Sequence, residues 1–387
     1  MSETGIIAAK TDPALVAGLR HWLCQDVLPF WAHEGRDART GLFLERFLAD
    51  RSGDISAPLR VRVQFRQIYS LAHAAALGWF PDGAQIALRA WEATRQHFWN
   101  ARDGGGFHHI LAADGSVIDA RRDSYDHAFA ILALSWLARA TGEGRLLAEL
   151  DALLAFIDTR LTDPDGILLE GDPHTLPRRQ NPQMHWFEAM LAMHDAVAHP
   201  QALERAARYR HFFEAVLFDR PTGTLGEYFT EDWKHAPGAA GHSVEPGHQA
   251  EWTWLLRTHE RLAGLPPSEE ASILLRTALA TAHPELGLLV DEADRANGVR
   301  RATRRSWLHT ELAKAWIAEA EINREGAGPK AFAALALLEQ HFLRKPFREG
   351  WIDQLDEQGQ PIAGPVPASI LYHIWVAVLE ADRVLAQ

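Results

Sequence analysis

Ser124-Tyr125-Asp126-His127-Ala128-Phe129-Ala130-Ile131-Leu132-Ala133-Leu134 opens as a polar turn and runs directly into a segment that is apolar on nearly every face. The same arrangement recurs along the chain, with marker residues Arg66, His127, His185, His248, His309 and His373 at intervals of 61, 58, 63, 61 and 64 residues. So regular a period over the whole length indicates repeated supersecondary units, none of which buries its own apolar face alone.

Each unit holds two helical patterns. The leading segments span 13–32, 83–98, 145–160, 201–217, 268–281 and 329–343, and the marker-bearing ones 59–77, 124–140, 183–197, 247–262, 305–321 and 368–386. Turn-rich stretches separate the two, such as Asp103-Gly104-Gly105-Gly106-Phe107, Asp163-Pro164-Asp165-Gly166, Pro221-Thr222-Gly223 and Asp356-Glu357-Gln358-Gly359, and they predict tight hairpins. Leading segments carry more charge, as in Glu204-Arg205-Ala206-Ala207-Arg208, so they belong outside and the more apolar marker-bearing ones inside. The expected fold is all-α: twelve helices in six hairpins, closed into an (α/α)6 barrel whose polar first turns gather at one mouth. No linker rich in Pro, Gly or Ser divides the chain, so residues 1–387 are expected to form one domain.

Of the 387 residues 47% are hydrophobic, enough for a large core, and the formal net charge is −12. That balance argues against a nucleic-acid partner, whose binding rests on phosphate neutralisation by Lys and Arg, and favours a small neutral molecule. Arg300, Arg301, Arg304 and Arg305 form one basic cluster, read as a solvated face or as a contact for an anionic group. A lone Cys24 excludes an intramolecular disulfide and a cysteine cage for zinc. Met1 to Lys10 lacks the pattern of a signal peptide, and no apolar run approaches about 18 residues, so a cytoplasmic protein without a membrane span is expected. Monomer and homodimer both stay open.

The chain has no G-x-S-x-G elbow, P-loop or G-x-G-x-x-G fingerprint. Its chemistry-bearing residues are instead histidines, 20 in number, together with Arg66 and carboxylates at the starts of neighbouring helices. His185 and Glu188, like His248 and Glu251, are spaced i, i+3, which places each pair on one helix face. A carboxylate there orients an imidazole and raises its basicity, or forms a plain polar pair. Paired H-x-x-E elements also suit divalent ions, but Arg66 at the same rim would repel one, so neither metal nor cofactor is expected. Among the fourteen Trp, Trp307 and Trp351 lie beside rim positions, and each is open to sugar stacking or to packing, as is Tyr125. His73, His97, His211, His283 and His341 lie away from the rim and are read as structural or surface residues.

These motifs resemble the N-acylglucosamine 2-epimerase superfamily, with its mannose isomerases, sulfoquinovose isomerases and cellobiose 2-epimerases. The carriers are Gln64-Phe65-Arg66, Ser124-Tyr125-Asp126-His127-Ala128-Phe129, Asn181-Pro182-Gln183-Met184-His185-Trp186-Phe187-Glu188-Ala189, Glu245-Pro246-Gly247-His248-Gln249-Ala250-Glu251-Trp252 and Tyr372-His373, spread over essentially the whole chain. The third looks most like the mannose isomerase branch. The resemblance implies an (α/α)6 barrel and cofactor-independent proton transfer at C1 and C2 of an aldose. It also implies His373 as the base at C2, His248 as its acid-base partner, and Arg66 as the cation facing the enediolate. His185 and Asn181 are implied to hold substrate, with Glu251 supporting His248. Glu188, Tyr125, His127, Trp307, Glu311, Trp351 and Asp353 complete the expected substrate-binding set. Two departures stand out: the fifth repeat reads Trp307-Leu308-His309-Thr310-Glu311 where W-P-Q-x-E is expected, and Phe65 replaces a frequently small residue.

The expected reaction interconverts mannose and fructose, or lyxose and xylulose, through a cis-enediolate. A 2-epimerase acting on mannose, N-acylglucosamine or cellobiose is the alternative, because two histidines also serve proton return from the opposite face. A glycoside hydrolase would need two rim carboxylates from among Asp126, Glu188, Glu251, Glu311 and Asp353. A non-catalytic binding module would have no use for histidines aligned with an arginine.

Overall fold

The computed structural model describes residues 12–386. Among the described residues twelve helices follow one another. Helix α1 runs from Pro13–Trp22 through a π turn at Leu23–Val27 into Leu28–His33. It is followed by α2 (Val61–Ala76), α3 (Gly83–Phe98), α4 (Ser124–Thr141), α5 (Gly144–Arg160) and α6 (Gln180–Val197). Helix α7 (Ala202–Phe212) ends in a second π turn, Phe213–Leu217, and α8 (Pro246–Ala263), α9 (Glu269–Leu279), α10 (Ser306–Glu321), α11 (Ala327–His341) and α12 (Leu371–Leu385) complete the set. Both families of helical segments are where the hydrophobic period puts them.

The even-numbered helices pack side by side and α12 returns to α2, closing an inner ring, while the odd-numbered ones surround it. Burial explains the division: α4 hides both faces from Ser124 to Ala138, whereas α7 buries only Ala202, Ala206, Tyr209 and Phe212. This is the (α/α)6 toroid. The pairing differs from the expected hairpins. Each inner helix packs against the outer helix that follows it, through short connections such as 142–143, and α12 instead packs on α1. The Gly-rich stretches lie in the long outer-to-inner connections, because two to six residues suffice to reverse a chain between touching helices and longer spans are free to build the mouth.

Those long connections are zipped into a crown. The residues entering each inner helix pair antiparallel with the next connection: Leu59–Arg60 with Ile110–Leu111, Arg122–Asp123 with Gly171–Asp172, Arg178–Arg179 with Tyr228–Phe229, Ser243–Val244 with Glu292–Asp294, and Arg304–Arg305 with Gln354–Leu355. Val366–Pro367 then closes the circle on Arg46–Phe47. A helical period alone does not signal two-residue strands. No helix among the described residues is long and apolar enough to cross a membrane, and the reading of Met1 to Lys10 lies outside those residues.

Candidate active site

The first turns of the inner helices converge on a cavity of about 360 Å³, within the size range of small-molecule sites. Helical register decides which side chains reach it. The second residue of each inner segment lies at the wall, Arg62, Tyr125, Asn181, Trp307 and Ser369, with Gly247 at the equivalent place in α8. A Cβ on Gly247 would come within 2.7 Å of the Trp307 ring, so the glycine makes room for the indole. One turn deeper, sixth residues form the floor: Arg66, His185, Glu251 and His373, with Phe129 and Glu311 at the equivalent places buried behind it. Residues four apart share a helix face, which is why both layers look inward.

The fourth residues point away from the cavity and pin the crown. Gln64 bonds both backbone groups of Phe43. His127 accepts from Phe107 N at 3.1 Å and donates to Asp123 O, and His309 accepts from Leu289 N at 3.0 Å and donates to Arg305 O. His127 therefore leaves the expected substrate-binding set. A marker shifted by two residues turns through roughly 200° on a helix and serves the loop instead of the pocket.

Trp351 leaves it too. It is fully buried, stacked on Trp31 with centroids 5.0 Å apart, and its Nε1 donates to Pro367 O. Trp307, by contrast, lines the cavity with His248 at 5.0 Å and His373 at 5.7 Å from its ring, so both imidazoles flank one indole. Tyr125, Asn181, His185, Glu251 and Asp353 also line it.

Two histidines experience opposite surroundings. Burial disfavours a charge on His248, but Glu227 and Glu245 outweigh it and raise its pKa to about 9. Its Nδ1 bonds Glu227 at 3.0 Å, with Glu245 at 3.9 Å. The expected support from Glu251 is corrected accordingly. Glu251 turns to the interior, its Oε1 has no partner, and burial together with the charge of Glu311 pushes its pKa well up. Glu227 carried no signal in the periodic pattern because it comes from the crown between α7 and α8.

His373 is held well below its ordinary pKa by burial and then by the Arg66 and Lys314 charges. Its Nδ1 bonds Oε1 of Glu311 at 2.8 Å. Glu311 is completely buried behind the ring, so it positions His373 and does not line the cavity as expected. Glu188 is likewise a support: it bonds His185 Nδ1 at 2.8 Å, accepts the Tyr372 hydroxyl, and lies beneath the floor. Burial lowers His185 to about 4 against the pull of Glu188. Arg66 donates to Tyr125 Oη at 2.5 Å and to Ser369 O at 3.2 Å, leaving Nε unpaired.

The basic cluster divides. Arg305 lines the cavity, Arg304 is buried against Leu288 O, and Arg300 and Arg301 lie on an exposed strand. Arg60, Arg62 and Glu245 also line the mouth and were not anticipated. The signal for them was the alternation of charge just before the inner helices, Arg60, Asp123, Arg179, Glu245 and Arg305.

His185, Glu188 and Glu251 bring ligand-type atoms within 4.8 Å of one another, as do Glu251, Glu311 and His373. These sets fit a divalent ion poorly, since the Lys314 ammonium lies 2.5 Å from Glu311 and Arg66 closes the other side. A third buried set, His109, Asp123 and Asp126, is ringed by Arg62, Arg121 and Arg179.

A family model described as N-acylglucosamine 2-epimerase (GlcNAc 2-epimerase) matches residues 43–377. Over 393 aligned positions the chain is 35% identical to a mannose-6-phosphate isomerase of Rhizobium meliloti (strain 1021), covering 97% of this chain and 98% of that protein. It is 33% identical to a D-mannose isomerase of Thermobifida fusca over 183 positions, 42% of this chain and 44% of that one. Among solved structures, a D-mannose isomerase superposes with a TM-score of 0.83 at 20% identity, covering 96% of this chain and 98% of that one. A cellobiose 2-epimerase from Spirochaeta thermophila DSM 6192 gives 0.85 at 23% identity, covering 97% and 98%. At those identities the structural likeness speaks for the toroid alone, whereas the family match takes in inner ring and crown together. The chain belongs to the N-acylglucosamine 2-epimerase family and is a sugar isomerase or epimerase.

Proposed function

We propose that the protein interconverts a free aldose of the mannose type with its 2-ketose, mannose with fructose or lyxose with xylulose, by moving a proton between C2 and C1. The observation that carries this reading is the pair of histidines beside Trp307, one bonded to the crown carboxylate Glu227, which with Glu245 draws its pKa up, and one buried near Arg66 and Lys314, which draw its pKa down. Titratable groups driven apart by their surroundings are suited to be acid and base of one reaction.

Protonated His248 supplies the acid that ring opening and carbonyl polarisation require. Neutral His373 then takes the C2 proton as the electron pair moves into an enediolate and His248 gives a proton to O1; His248 takes back the O2 hydroxyl proton as the ketone forms, and the His373 imidazole returns its proton to C1. One carbon is oxidised as its neighbour is reduced, so the step balances without an external electron acceptor. Positioned proton transfer contributes about 10² to 10⁴ in rate, and fixed charge beside the enediolate supplies a further share of roughly 3 to 4 kcal/mol. Arg66, with its unused Nε–H, is the donor for those oxygens. A neutral sugar suits the wall, where Arg60 and Arg305 already pair with Glu45, Asp291 and Glu245.

A phosphorylated hexose is the second reading, in line with the name of the Rhizobium meliloti relative. Arg62 favours it: its guanidinium lies 3.7 Å from Asp126 as an ion pair and otherwise opens to the cavity. Incubating the protein with mannose, mannose 6-phosphate, lyxose, glucose and cellobiose in heavy water, followed by NMR, decides between them. Mannose turning into fructose supports the first reading, and turnover of the phosphate ester alone supports the second. Mannose turning into glucose with deuterium at C2 would replace both by an epimerase.

A further inference from the structure

Below the sugar cavity a buried lysine is set among buried carboxyl groups. Lys314, one turn beyond Glu311 on α10, is completely buried. Its Nζ is 2.5 Å from Oε2 of Glu311 and 3.8 Å from the centre of the Trp254 ring. Burying an ammonium costs several kcal/mol unless carboxylates compensate it, and replacing a whole buried ion pair by apolar residues of similar volume commonly serves stability as well or better. A use beyond packing is the simplest account of a lysine here.

The groups around it define that use. Glu311 faces Lys314 on its own helix, Glu251 on α8, His185 and Glu188 on α6, and His373 and Tyr372 on α12. Its Oε1 accepts from His373 Nδ1 at 2.8 Å and from Thr310 Oγ1 at 3.3 Å, while Oε2 meets only the ammonium. Three carboxylates therefore share one lysine.

We infer that Lys314 is a positioning residue for proton transfer at His373, acting through Glu311. The ammonium keeps Glu311 an anion, an anionic Glu311 accepts Nδ1–H, and the Nε2 lone pair of His373 is left bare toward the sugar. With the lysine gone, Glu311 takes up a proton and offers O–H to Nδ1. His373 then carries its proton on Nε2, where it has to accept one, and the base is lost by a change of tautomer. Burial pushes the Glu311 carboxyl up and Lys314 pulls it down, so removing the ammonium moves it further toward the protonated form. Lys314 itself stays charged because Glu311, Glu251 and Glu188 overcome the effect of burial.

This inference rests on His373 being the base of the proposed isomerisation. Its test compares the full-length wild type with Lys314→Met, Glu311→Gln and the double variant on whichever aldose the wild type turns over, with kcat and KM followed from pH 5.5 to 9.5. Lys314→Met is expected to lower kcat about tenfold or more at pH 7, to leave KM within about threefold, and to move the acid limb up by about one pH unit or more. Added to Glu311→Gln, it is expected to change kcat less than about twofold, because both act through one group. An unmoved acid limb, or losses that multiply in the double variant, would overturn the inference. Should Lys314→Met not fold, Lys314→Gln takes its place, and 15N NMR of the wild-type histidine rings decides independently: His373 must carry its proton on Nδ1 at pH 7, and a proton on Nε2 overturns the relay. A wild type inactive on every sugar would defeat the isomerase reading instead, while the ring measurement still judges this one.

Discussion

Glu227 accepts a hydrogen bond from Nδ1 of His248 at 3.0 Å, and this contact from the crown determines which of the two cavity histidines is charged. His373, beside the same indole, has Arg66 and Lys314 acting on it, and its pKa is held well below the ordinary value. The asymmetry between acid and base thus comes from loop residues on one side and from buried helix residues on the other.

Replacing Glu227 by Gln removes the principal charge that stabilises the imidazolium. Activity that needs protonated His248 is lost as pH rises through about 9, so the variant should lose it at lower pH. A pH–rate profile is expected to show the basic limb moved down by about one unit or more, with kcat near pH 8 reduced about tenfold.

Arg66→Ala and His373→Ala should each lower turnover by about two orders of magnitude or more, with circular dichroism and thermal unfolding still showing a folded protein. Near-normal kcat in either folded variant would remove that residue from the mechanism.

The two rim-adjacent tryptophans should separate cleanly. Trp351→Ala empties a stacked core position and is expected to cost about 3 to 5 kcal/mol in denaturant unfolding. Trp307→Ala exposes both imidazoles to water, so its main effect should fall on KM and kcat.

The buried neutral histidines should weaken the fold on mild acidification, against the opposite contribution of the raised Glu251 and Glu311 carboxyls. Burial lowers His73 to about 3, and His185 and His309 to about 4, so below about pH 6.5 the unfolded chain binds protons that the folded one refuses. By pH 5 each costs about 2 kcal/mol, against about 1.4 kcal/mol gained at His248, whose raised pKa favours the folded state fully only below about 6.5. Urea midpoints of the wild type and a His309→Gln variant at pH 7.5 and pH 5 test this: the variant should lose less on acidification, and an equal loss would contradict it.

The toroid was legible because six long apolar periods survive any local irregularity, and helix boundaries followed from them within a few residues. The site was legible only in part, for a reason visible in the markers themselves. Arg66, His185 and His373 occupy the sixth position of their inner segments, but His248 occupies the third and His127 and His309 the fourth. A period near 61 residues cannot resolve a shift of two, and that shift takes a side chain from the cavity to the crown. Glu227, Arg60 and Arg62 were missed because crown loops and helix-opening arginines follow no hydrophobic rhythm. The i, i+3 rule succeeded for His185 and Glu188 and failed for His248, where a crown carboxylate competes for the same nitrogen.

The most direct test of the account is an NMR titration of 15N-labelled histidine rings in the substrate-free protein, with His248→Asn and His373→Asn variants to assign the two signals. The account predicts that at pH 7.5 His248 is an imidazolium, deprotonating only near pH 9, while His373 is neutral and stays so below pH 6. Two imidazoles titrating together between pH 6 and 7 would contradict it.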